Sequence, residues 1–463
     1  MRGILAHGVH IPYRRLDRAD IGAFFGSGGG RGTRTVASFD EDTTSMGVEA
    51  ARNTLRGVAT TPDQVWFSTT APAYLDRTNA TAIHAALRLP TASAAVDMLG
   101  SQRSAVGALR TALDGRGTVL VVSSDIRMAQ PTGAEEATGG DGAGAILVGD
   151  AEPAQLAAEL VGRGTASAEF VDRWRTPGET RSKGWDDRFS ETEYSPLAEQ
   201  AWKTALADAD LTPEEVDVAV VTGLHTRSVK RAAGRLGVER IGDDLSDTVG
   251  NTGAAHPAVL LSQHLDQAEP GQVIALVVLA DGAEVLLFRA GGAARSARPA
   301  AEQIAHGGPV SYAKFLSWRG LVEPEPPRRP SPERPSSSAA ARNDDWKFAF
   351  VGSRDRGSGA IHLPPSRTSI KGGAVDEMDD VPMSEAVGTV VTSTIDKLAY
   401  SVNPPIVFAV VDFDGGGRMP VELTDVDPDD VSIGDRIEMT FRRLYVADGI
   451  SNYFWKGRPV RAS

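Results

Sequence analysis

Continuously apolar runs alternate with segments of helical spacing over roughly the first 290 residues. The runs VLVVSSD (119–125) and VIALVVLADGAEVLLF (273–288) are short and rich in β-branched residues, as strands covered on both faces are. Segments such as ALRTAL and AAHPAVLLSQHL have the periodicity of buried helices. This pattern predicts an α/β fold in which helices cover central strands.

The same region contains an internal repeat of about 150 residues. SMGVEAARNTLRGVATTPDQVWFSTT (45–70) matches SPLAEQAWKTALADADLTPEEVDVAVVTG (195–223), each with Thr-Pro before a Val-rich strand. Two elbows, Asp97-Met-Leu-Gly-Ser101 and Asp247-Thr-Val-Gly-Asn251, each open a helix. We therefore expect two halves of similar fold, and two helix N-termini that meet at one site.

The predicted boundaries follow from these blocks and from composition. The first half spans 1–155 and the second 156–292, with two central sheets layered between helices. Residues 293–345, rich in Pro, Ser, Arg and Ala, are typical of a linker, and 310–319 within it predicts a short docking helix that packs on its own chain.

Residues 346–463 have the pattern of an all-β module. Short alternating runs are separated by Gly, Pro and Asp turns. The predicted strands are GTVVTSTI, PPIVFAVVDF, RMPVELT, RIEMTFRRLYV and NYFWKGRPV. Five short strands suit a small barrel of the OB type.

Charge and composition exclude several classes of protein. The chain has 61 acidic and 48 basic residues, a formal charge of −13, and no basic stripe of the kind that binds nucleic acid. No segment approaches the roughly 20 apolar residues of a membrane span. The apolar run at the start of the sequence is too short for a signal peptide. We therefore expect a cytoplasmic protein without a nucleic-acid or membrane partner.

The sequence contains no cysteine. This excludes disulfides, metal sites built on thiolates and cysteine nucleophiles together. The string Gly139-Gly-Asp-Gly-Ala-Gly144 precedes a strand, so it lacks the strand, loop and helix order of a dinucleotide site. We expect no permanently bound cofactor.

Residues 1–291 resemble the thiolase superfamily, specifically the hydroxymethylglutaryl-CoA synthases and the type III ketoacyl-ACP synthases. The segments that carry the resemblance occur in the family's order: DEDTTSMGVEAAR, TNATAIHAALRLP, the first elbow, GGDGAGAILVGD, WRTPGE, WDDRF, GLHTR and GNTGAA. The resemblance implies a duplicated, five-layer α/β fold, an acyl-CoA thioester as substrate, and a homodimer.

The C-terminal part resembles the zinc-ribbon and OB-fold proteins that accompany thiolase-like enzymes, through WKFAFVGSR, HLPPSR, PPIVFAVVDFDGGGR and NYFWKGRPV. In those relatives two Cys-x-x-Cys pairs hold zinc. The corresponding positions here are Asp355, Ser358, Ser369 and Gly372. Because these residues do not supply the soft tetrahedral ligands that zinc needs, we predict no zinc and a hairpin held by packing alone.

The catalytic positions of the family also differ in this sequence. The family nucleophile is a cysteine at the first elbow, where this chain has Ser101 by the internal repeat or Gln102 by spacing from Asp97. The synthases place a glutamate base near the end of the second strand, where Thr70 or Ala71 stands. Both alternatives at the nucleophile position stay open.

His225 and Asn251 match the histidine and asparagine that, by resemblance, hydrogen-bond the thioester carbonyl. Two N–H groups aimed at one oxygen stabilise a thioester enolate, and one donor supplies about 3–4 kcal/mol. An enolate needs no acyl-enzyme, so we predict non-covalent carbon–carbon chemistry: an aldol or retro-aldol reaction, or decarboxylation. The amide of Gln102 would add a third donor, whereas Ser101 would instead be acylated with His225 as base.

Other residues are candidates for the base and for CoA. The candidate bases are Tyr74, Asp76 and His256, each also consistent with a structural role. The candidates for the CoA phosphates are Arg227, Lys230 and Arg231, which follow His225 on a predicted helix. A third hypothesis for the whole chain is a scaffold without catalysis, whose OB module docks a thiolase-like partner.

Overall fold

The computed structural model describes residues 1–293 and 295–461. These residues form two compact units. Unit 1 comprises 1–37, 49–81 and 91–315, and unit 2 comprises 38–48, 82–90 and 316–463. Across the described part of the chain, no helix is long and apolar enough to cross a membrane.

The elements of the first 318 residues have the following bounds. The strands are β1 (Arg2–His10), β2 (Arg14–Asp17), β3 (Thr33–Val36), β4 (Gln64–Ser68), β5 (Ala94–Asp97), β6 (Val119–Asp125), β7 (Gly142–Asp150), β8 (Ala158–Ser167), β9 (Arg173–Trp174), β10 (Lys183–Gly184), β11 (Val218–Gly223), β12 (Val273–Leu279), β13 (Gly282–Ala290) and β14 (Gly308–Pro309). The helices are α1 (Arg18–Phe25), α2 (Thr43–Leu55), α3 (Ala80–Ala86), α4 (Gln102–Asp114), α5 (Ala134–Thr138), α6 (Asp187–Ala209), α7 (Thr226–Ala233), α8 (His256–Gln267), α9 (Ala300–Ala305) and α10 (Tyr312–Trp318).

The central sheet of unit 1 has the strand order β11-β12-β13-β8-β1-β7-β6-β4-β5. Strands β1, β4, β5, β6 and β7 come from the first half of the chain and the other strands from the second. The halves join where β1 pairs with β8, through Gly3↔Glu159 and Ile4↔Ala158. The two central sheets predicted from the repeat are therefore joined at one edge by this short ladder.

Helices α4 and α8 pack against strands of both half-sheets and against each other. Every residue of α8 from His256 to Asp266 is buried, as expected for a helix covered on all sides. The approach to β7 requires glycine: a Cβ on Gly144 would lie 2.8 Å from Cβ of Ala258. The helices that follow the two elbows are thus buried against strands of both halves.

The outer helix α6 packs against β8 and β13. The packing of α6 on β8 also requires glycine, because a Cβ on Gly164 would lie 1.9 Å from the carbonyl oxygen of Ala201. On the other half, α2 is tied to the sheet by Asn53, whose amide donates to the carbonyl of Val9 at 2.7 Å. These helices complete the layers expected of the α/β fold.

The segment expected to be a linker contains regular structure. Helices α9 and α10 lie within it, and α10 coincides with the predicted docking helix. Tyr312 of α10 is buried, donates its hydroxyl to the carboxylate of Glu136 at 2.9 Å and contacts the rings of Phe24 and Phe25. This end of α10 therefore packs on its own chain.

Unit 2 contains a closed barrel. Its helices are α11 (Ser337–Arg342) and α12 (Asp344–Lys347), and its strands are β15 (Val351–Asp355), β16 (Ile361–His362), β17 (Met378–Pro382), β18 (Val387–Asp396), β19 (Ile406–Phe413), β20 (Arg418–Leu423), β21 (Arg436–Ala447) and β22 (Ile450–Pro459). The barrel closes in the order β18-β19-β20-β22-β21. All five strands predicted from the alternating pattern occupy their expected places.

Buried charges join the barrel to residues 38–48, which belong to the same unit. Arg442 of β21 has no exposed surface, and its guanidinium lies 2.9 Å from Glu41 and 2.8 Å from Asp425. Lys456 of β22 lies 2.9 Å from Asp40. Burial opposes the charge on Lys456, but Asp40 and Glu422 outweigh it and raise its pKa. We call Asp40, Glu41, Asp425, Arg442 and Lys456 the buried ion cluster.

Replacing Arg442 by methionine keeps the side chain's bulk and removes its charge. We expect unit 2 to lose about 3–5 kcal/mol of unfolding free energy, because buried carboxylates would be left without a counter-ion. The measurement is urea denaturation at pH 7 followed by circular dichroism.

The matched control is Arg418→Met. Arg418 pairs with Asp412 at the surface, where its side chain is 60% exposed, so the expected loss is under about 1 kcal/mol. Equal, small losses in the two variants would contradict a stabilising role for the buried ion cluster.

Candidate active site

Loops at the carboxyl ends of parallel strands in unit 1 enclose a cavity of about 560 Å³. Thr70 follows β4, Arg127 follows β6 and His225 follows β11, and all three line the cavity together with Ser101 and Gln102 at the start of α4. Strand ends of this kind are the usual position of ligand sites in α/β folds. The first elbow and His225 are therefore brought together, as the sequence predicts.

The two candidates for the nucleophile position differ in environment. Ser101 is the N-cap residue of α4, with extended backbone, and is partly exposed. Gln102 is the first residue of the helix and only 2% exposed. Its carboxamide donates to the carbonyl of Gly253 at 3.1 Å, while its Oε1 atom has no hydrogen-bond partner in the part of the chain that the structure describes. Gln102 thus offers a buried acceptor beside the cavity.

Hydrogen bonds fix which nitrogen of the neutral His225 ring carries the proton. His225 caps α7, and its Nδ1 accepts from the backbone N–H of Ser228 at 3.2 Å and lies 2.6 Å from the Ser228 hydroxyl. An Nδ1 atom that accepts cannot carry the proton of a neutral imidazole. Its Nε2 atom, 3.2 Å from the Asp187 carboxylate, is therefore the N–H donor.

Asn251 lines a second, smaller cavity of about 220 Å³. Its amide donates to the carbonyl of Gly223 at 3.0 Å, and its side-chain oxygen accepts from the N–H of Gly253 at 2.9 Å. The two cavities share several wall residues, namely Arg127, Glu135, Thr138, Leu224 and Thr226. His225 and Asn251 thus line adjacent cavities with common walls, and their expected grip on one oxygen stays a prediction.

Asp125, at the end of β6, was not among the residues singled out from the sequence. It is fully buried and accepts from the Thr70 hydroxyl at 2.8 Å and from the N–H of Ala254 at 2.9 Å. Burial raises its pKa, although Arg127, at 4.0 Å, opposes the rise. The only sequence signal is an aspartate that ends an otherwise apolar strand.

Three arginines were also missed as site residues. Arg127, Arg173 and Arg175 all line the cavity, and the last two lie in the WRTPGE segment. Arg173 forms an ion pair with Glu135. Burial and the neighbouring charges of Arg127 and Arg175 lower the pKa of the Arg173 guanidinium to about 9. Acidic side chains line the same cavity, namely Glu135, Asp172, Asp187 and Asp281.

The candidate bases lie elsewhere. Tyr74 packs under the Arg77 guanidinium, and its backbone is held by Asn79. Asp76 is exposed, and neither residue lines the cavity. His256 is buried beside Thr252 in the smaller cavity, where burial lowers its pKa to about 4. The structure thus does not bring these three residues to His225.

The basic residues proposed for CoA are divided among different environments. Arg227 lines the larger cavity, is 63% exposed and lies 3.7 Å from Asp187. Lys230 lines the smaller cavity. Arg231 forms an ion pair with Glu191. Arg227 is therefore the member of this set that meets the cavity beside His225.

Relatives with established names match the first part of the chain. The hydroxymethylglutaryl-CoA synthase of Pyrococcus horikoshii is 27% identical over 293 residues, which is 61% of this chain and 83% of that protein. Among solved structures, PksG, a hydroxymethylglutaryl-CoA synthase from Bacillus subtilis, aligns with a TM-score of 0.60 at 18% identity, over 69% of this chain and 89% of that one. MvaS in complex with 3-hydroxy-3-methylglutaryl coenzyme A aligns with a TM-score of 0.56 at 20% identity, over 72% of this chain and 94% of that one.

A family model described as the C-terminal OB-fold domain of ChsH2 matches residues 380–442. The chain has a thiolase-type fold joined to an OB-fold. Both parts of the resemblance found in the sequence are thereby confirmed.

The positions that correspond to zinc ligands in related ribbons form a hydrogen-bonded cluster. The Asp355 carboxylate accepts from the hydroxyls of Ser358 and Ser369, the latter at 2.6 Å, and from the N–H of Gly357 at 2.9 Å. One carboxylate, two hydroxyls and a glycine do not fit a zinc ion. The expectation that packing alone holds this hairpin is wrong, because Asp355 ties its turns together.

The Asp355 cluster predicts a specific response to acid. The hydroxyls of Ser358 and Ser369 and the N–H of Gly357 lower the pKa of Asp355 to about 2, below the unfolded value of about 3.9. The stabilisation is therefore complete above about pH 4 and is lost as the pH falls towards 2. We expect the stability difference between the native protein and Asp355→Asn to shrink from pH 6 to pH 3, measured by urea denaturation.

Ser369→Ala is the companion variant. It removes one donor to the carboxylate, so the pKa of Asp355 should rise and the acid-sensitive range should move upward. A stability difference that is the same at pH 6 and pH 3 would show that the carboxylate charge does not hold the hairpin.

Proposed function

We propose that this chain is an acyl-CoA condensing enzyme of the hydroxymethylglutaryl-CoA synthase type, and that it makes or breaks a carbon–carbon bond beside the thioester without an acyl-enzyme. In the cleavage direction, a 3-hydroxyacyl-CoA loses its hydroxyl proton as the bond between C2 and C3 breaks. The products are an aldehyde or ketone and the enolate of the shortened thioester, which takes up a proton.

The relatives and the absence of cysteine support this proposal together. The synthase relatives are named for acyl-CoA condensation, and one solved neighbour holds an acyl-CoA. This chain has no cysteine anywhere, so a thioester acyl-enzyme cannot form. Chemistry that passes through an enolate alone requires only a donor to the thioester oxygen and a group that moves the proton.

The observation that carries the proposal is the fixed tautomer of His225. Because Ser228 donates to Nδ1, the Nε2 atom presents an N–H group, and its acceptor, Asp187, lies on the cavity wall with 60% of its side chain exposed. A thioester carbonyl that displaces Asp187 would receive this N–H. An N–H donor stabilises the negative charge of an enolate oxygen.

We assign Gln102 to bind a substrate hydroxyl and the Thr70–Asp125 pair to move the proton. The Oε1 atom of Gln102, which has no hydrogen-bond partner among the described residues, is suited to accept from a hydroxyl of the substrate. Thr70 lines the cavity and donates its hydroxyl to the Asp125 carboxylate. Burial raises the pKa of Asp125, which favours uptake of a proton. We therefore assign the proton transfer to Asp125 through Thr70, in place of Tyr74, Asp76 or His256.

Acyl transfer through Ser101 is the alternative within the same superfamily. Ser101 lines the cavity at a helix N-terminus, where an attacked carbonyl would be well placed. Across residues 1–293 and 295–461, however, Ser101 and His225 share no hydrogen bond, and the protonated Nε2 of His225 is not a base. A scaffold that binds acyl-CoA and a thiolase-like partner without turnover is the third reading.

The homodimer implied by the resemblance stays a proposal. Strand β5 is an end strand of the central sheet, and Val96 on it is 44% exposed. An edge strand of this kind pairs readily with a second copy.

His225→Ala tests the assignment directly. With candidate 3-hydroxyacyl-CoA esters, including 3-hydroxy-3-methylglutaryl-CoA, we expect the native protein to release a carbonyl product and a shortened thioester. Loss of the N–H donor should lower kcat by about 100- to 1000-fold. The products are quantified by mass spectrometry.

The control variant is His306→Ala, at an exposed histidine outside the cavity, which should keep full activity. Ser101→Ala should also turn over, and intact-mass analysis of the native protein after incubation with acyl-CoA should show no adduct. A covalent adduct that disappears in Ser101→Ala would replace the proposal with acyl transfer, and binding without any turnover would favour the scaffold.

A further inference from the structure

Asp187 occupies the N–H group that the proposed reaction needs. One of its carboxylate oxygens lies 3.2 Å from Nε2 of His225, and the other lies 3.7 Å from Nε of Arg227. All three residues line the larger cavity. One carboxylate therefore engages two groups at once: the donor assigned to the thioester oxygen, and the arginine that meets the cavity beside it.

A second ion pair between α6 and α7 shows what a purely structural contact looks like. One helical turn further along each helix, Glu191 of α6 pairs with Arg231 of α7. Neither of these residues lines the cavity, so their pair joins the two helices without meeting a ligand. Asp187 continues this series of ion pairs, but its carboxylate also accepts from His225 inside the cavity.

The position of Asp187 allows its carboxylate to withdraw. Residues 183–188, from β10 to the start of α6, are all exposed, so a shift of this stretch would disturb little packing. Asp186 caps α6, because its side chain accepts from the N–H groups of Arg188 and Phe189. Asp187 is therefore not needed to begin the helix. Its side chain is 60% exposed, and water weakens ion contacts of this kind.

The two contacts of Asp187 are of the types that an acyl-CoA would make. A carboxylate oxygen and an enolate oxygen are both anionic acceptors, so they compete for one N–H donor. A carboxylate and a phosphate compete for a guanidinium in the same way. A ligand that brings a carbonyl oxygen and a phosphate can replace both contacts, whereas a ligand that brings one of these groups replaces one contact.

We infer that Asp187 is an internal competitor of the substrate, which occupies the His225 donor until an acyl-CoA displaces it. The inference rests on the proposed function, because the thioester oxygen is assigned to His225 there. When the thioester leaves, Asp187 returns to His225, so it opposes binding and favours release. A residue that orients His225 for catalysis would have the opposite effect, and the sign of the change on substitution separates the two roles.

The experiment titrates three ligands into the full-length protein by isothermal titration calorimetry. Butyryl-CoA brings a carbonyl and phosphates, butyryl-pantetheine brings the carbonyl without a phosphate, and free CoA brings the phosphates without a thioester. None has the 3-hydroxyl group that the proposed cleavage requires. In Asp187→Ala we expect butyryl-CoA to bind about 2- to 10-fold more tightly, the range of exposed ion pairs and charged hydrogen bonds. The other two ligands should each gain part of this factor.

Butyryl-pantetheine decides the result. It carries no charge, so its gain in affinity reports the release of His225 rather than the loss of charge repulsion. Asp187→Asn, which keeps a neutral acceptor, should give a smaller gain than Asp187→Ala. Unchanged or weaker binding of butyryl-pantetheine in Asp187→Ala would overturn the inference.

Two further variants serve as controls. Glu191→Ala removes the same charge from the next ion pair of α6 and α7, and it should leave the affinity for butyryl-pantetheine unchanged. In a His225→Ala background, Asp187→Ala should no longer strengthen the binding of this ligand, because the donor that Asp187 occupies is gone. A gain that persists without His225, or that Glu191→Ala reproduces, would overturn the inference.

Turnover separates this inference from the proposed function. With a 3-hydroxyacyl-CoA ester that the native protein cleaves, Asp187→Ala should lower KM without raising kcat, whereas loss of an orienting or proton-transferring group would lower kcat. Tighter binding in Asp187→Ala without cleavage of any ester would retain Asp187 as a competitor and overturn the proposed function. Cleavage by the native protein together with unchanged affinities in Asp187→Ala would do the reverse.

Discussion

The close approach of two loops, one from each half of the duplicated fold, fixes the second elbow at the site. Asn251 donates its N–H to the carbonyl of Thr138 at 2.8 Å, and the N–H of Gly140 donates to the carbonyl of Asn251 at 3.0 Å. Glycine is required, because a Cβ on Gly140 would lie 2.0 Å from the carbonyl oxygen of Val249, and Gly250 has a φ of +82° with no room for a side chain. This bridge holds the second elbow against the end of the first half-sheet.

Under the proposed function, the absence of cysteine from the sequence changes the kind of chemistry that this frame supports. A thiolate would attack the thioester, whereas Gln102, one of the two candidates for the nucleophile position, would only donate and accept hydrogen bonds. In the proposed mechanism, His225 supplies the N–H donor, and Thr70 and Asp125, which share a hydrogen bond, move the proton. The scaffold that stabilises a tetrahedral adduct in an acyl transfer also suits an enolate, since in both cases negative charge develops on the carbonyl oxygen.

Sequence patterns predicted the elements whose signal is local. Continuous apolar runs identified β6 and β12, and alternation identified the barrel strands, because burial on one or two faces dictates those patterns. The join of β1 and β8 was missed, since it consists of two residue pairs without a pattern of their own. The surroundings of Asp125 and of the cavity-lining Arg127, Arg173 and Arg175 depend on contacts between segments far apart in the chain. The acidic run Asp40-Glu41-Asp42 has the pattern of a solvated surface, although it is buried.

That acidic run has a consequence for how the chain folds. Asp42 accepts from the hydroxyl of Tyr453 at 2.7 Å, across 411 positions of sequence, so unit 2 is discontinuous. At a synthesis rate of about 5–20 residues per second, the carboxylates emerge from the ribosome roughly 20–80 s before their partners. During this interval the carboxylates lack the partners that β21 and β22 supply, so they remain hydrated until those strands arrive and they become buried.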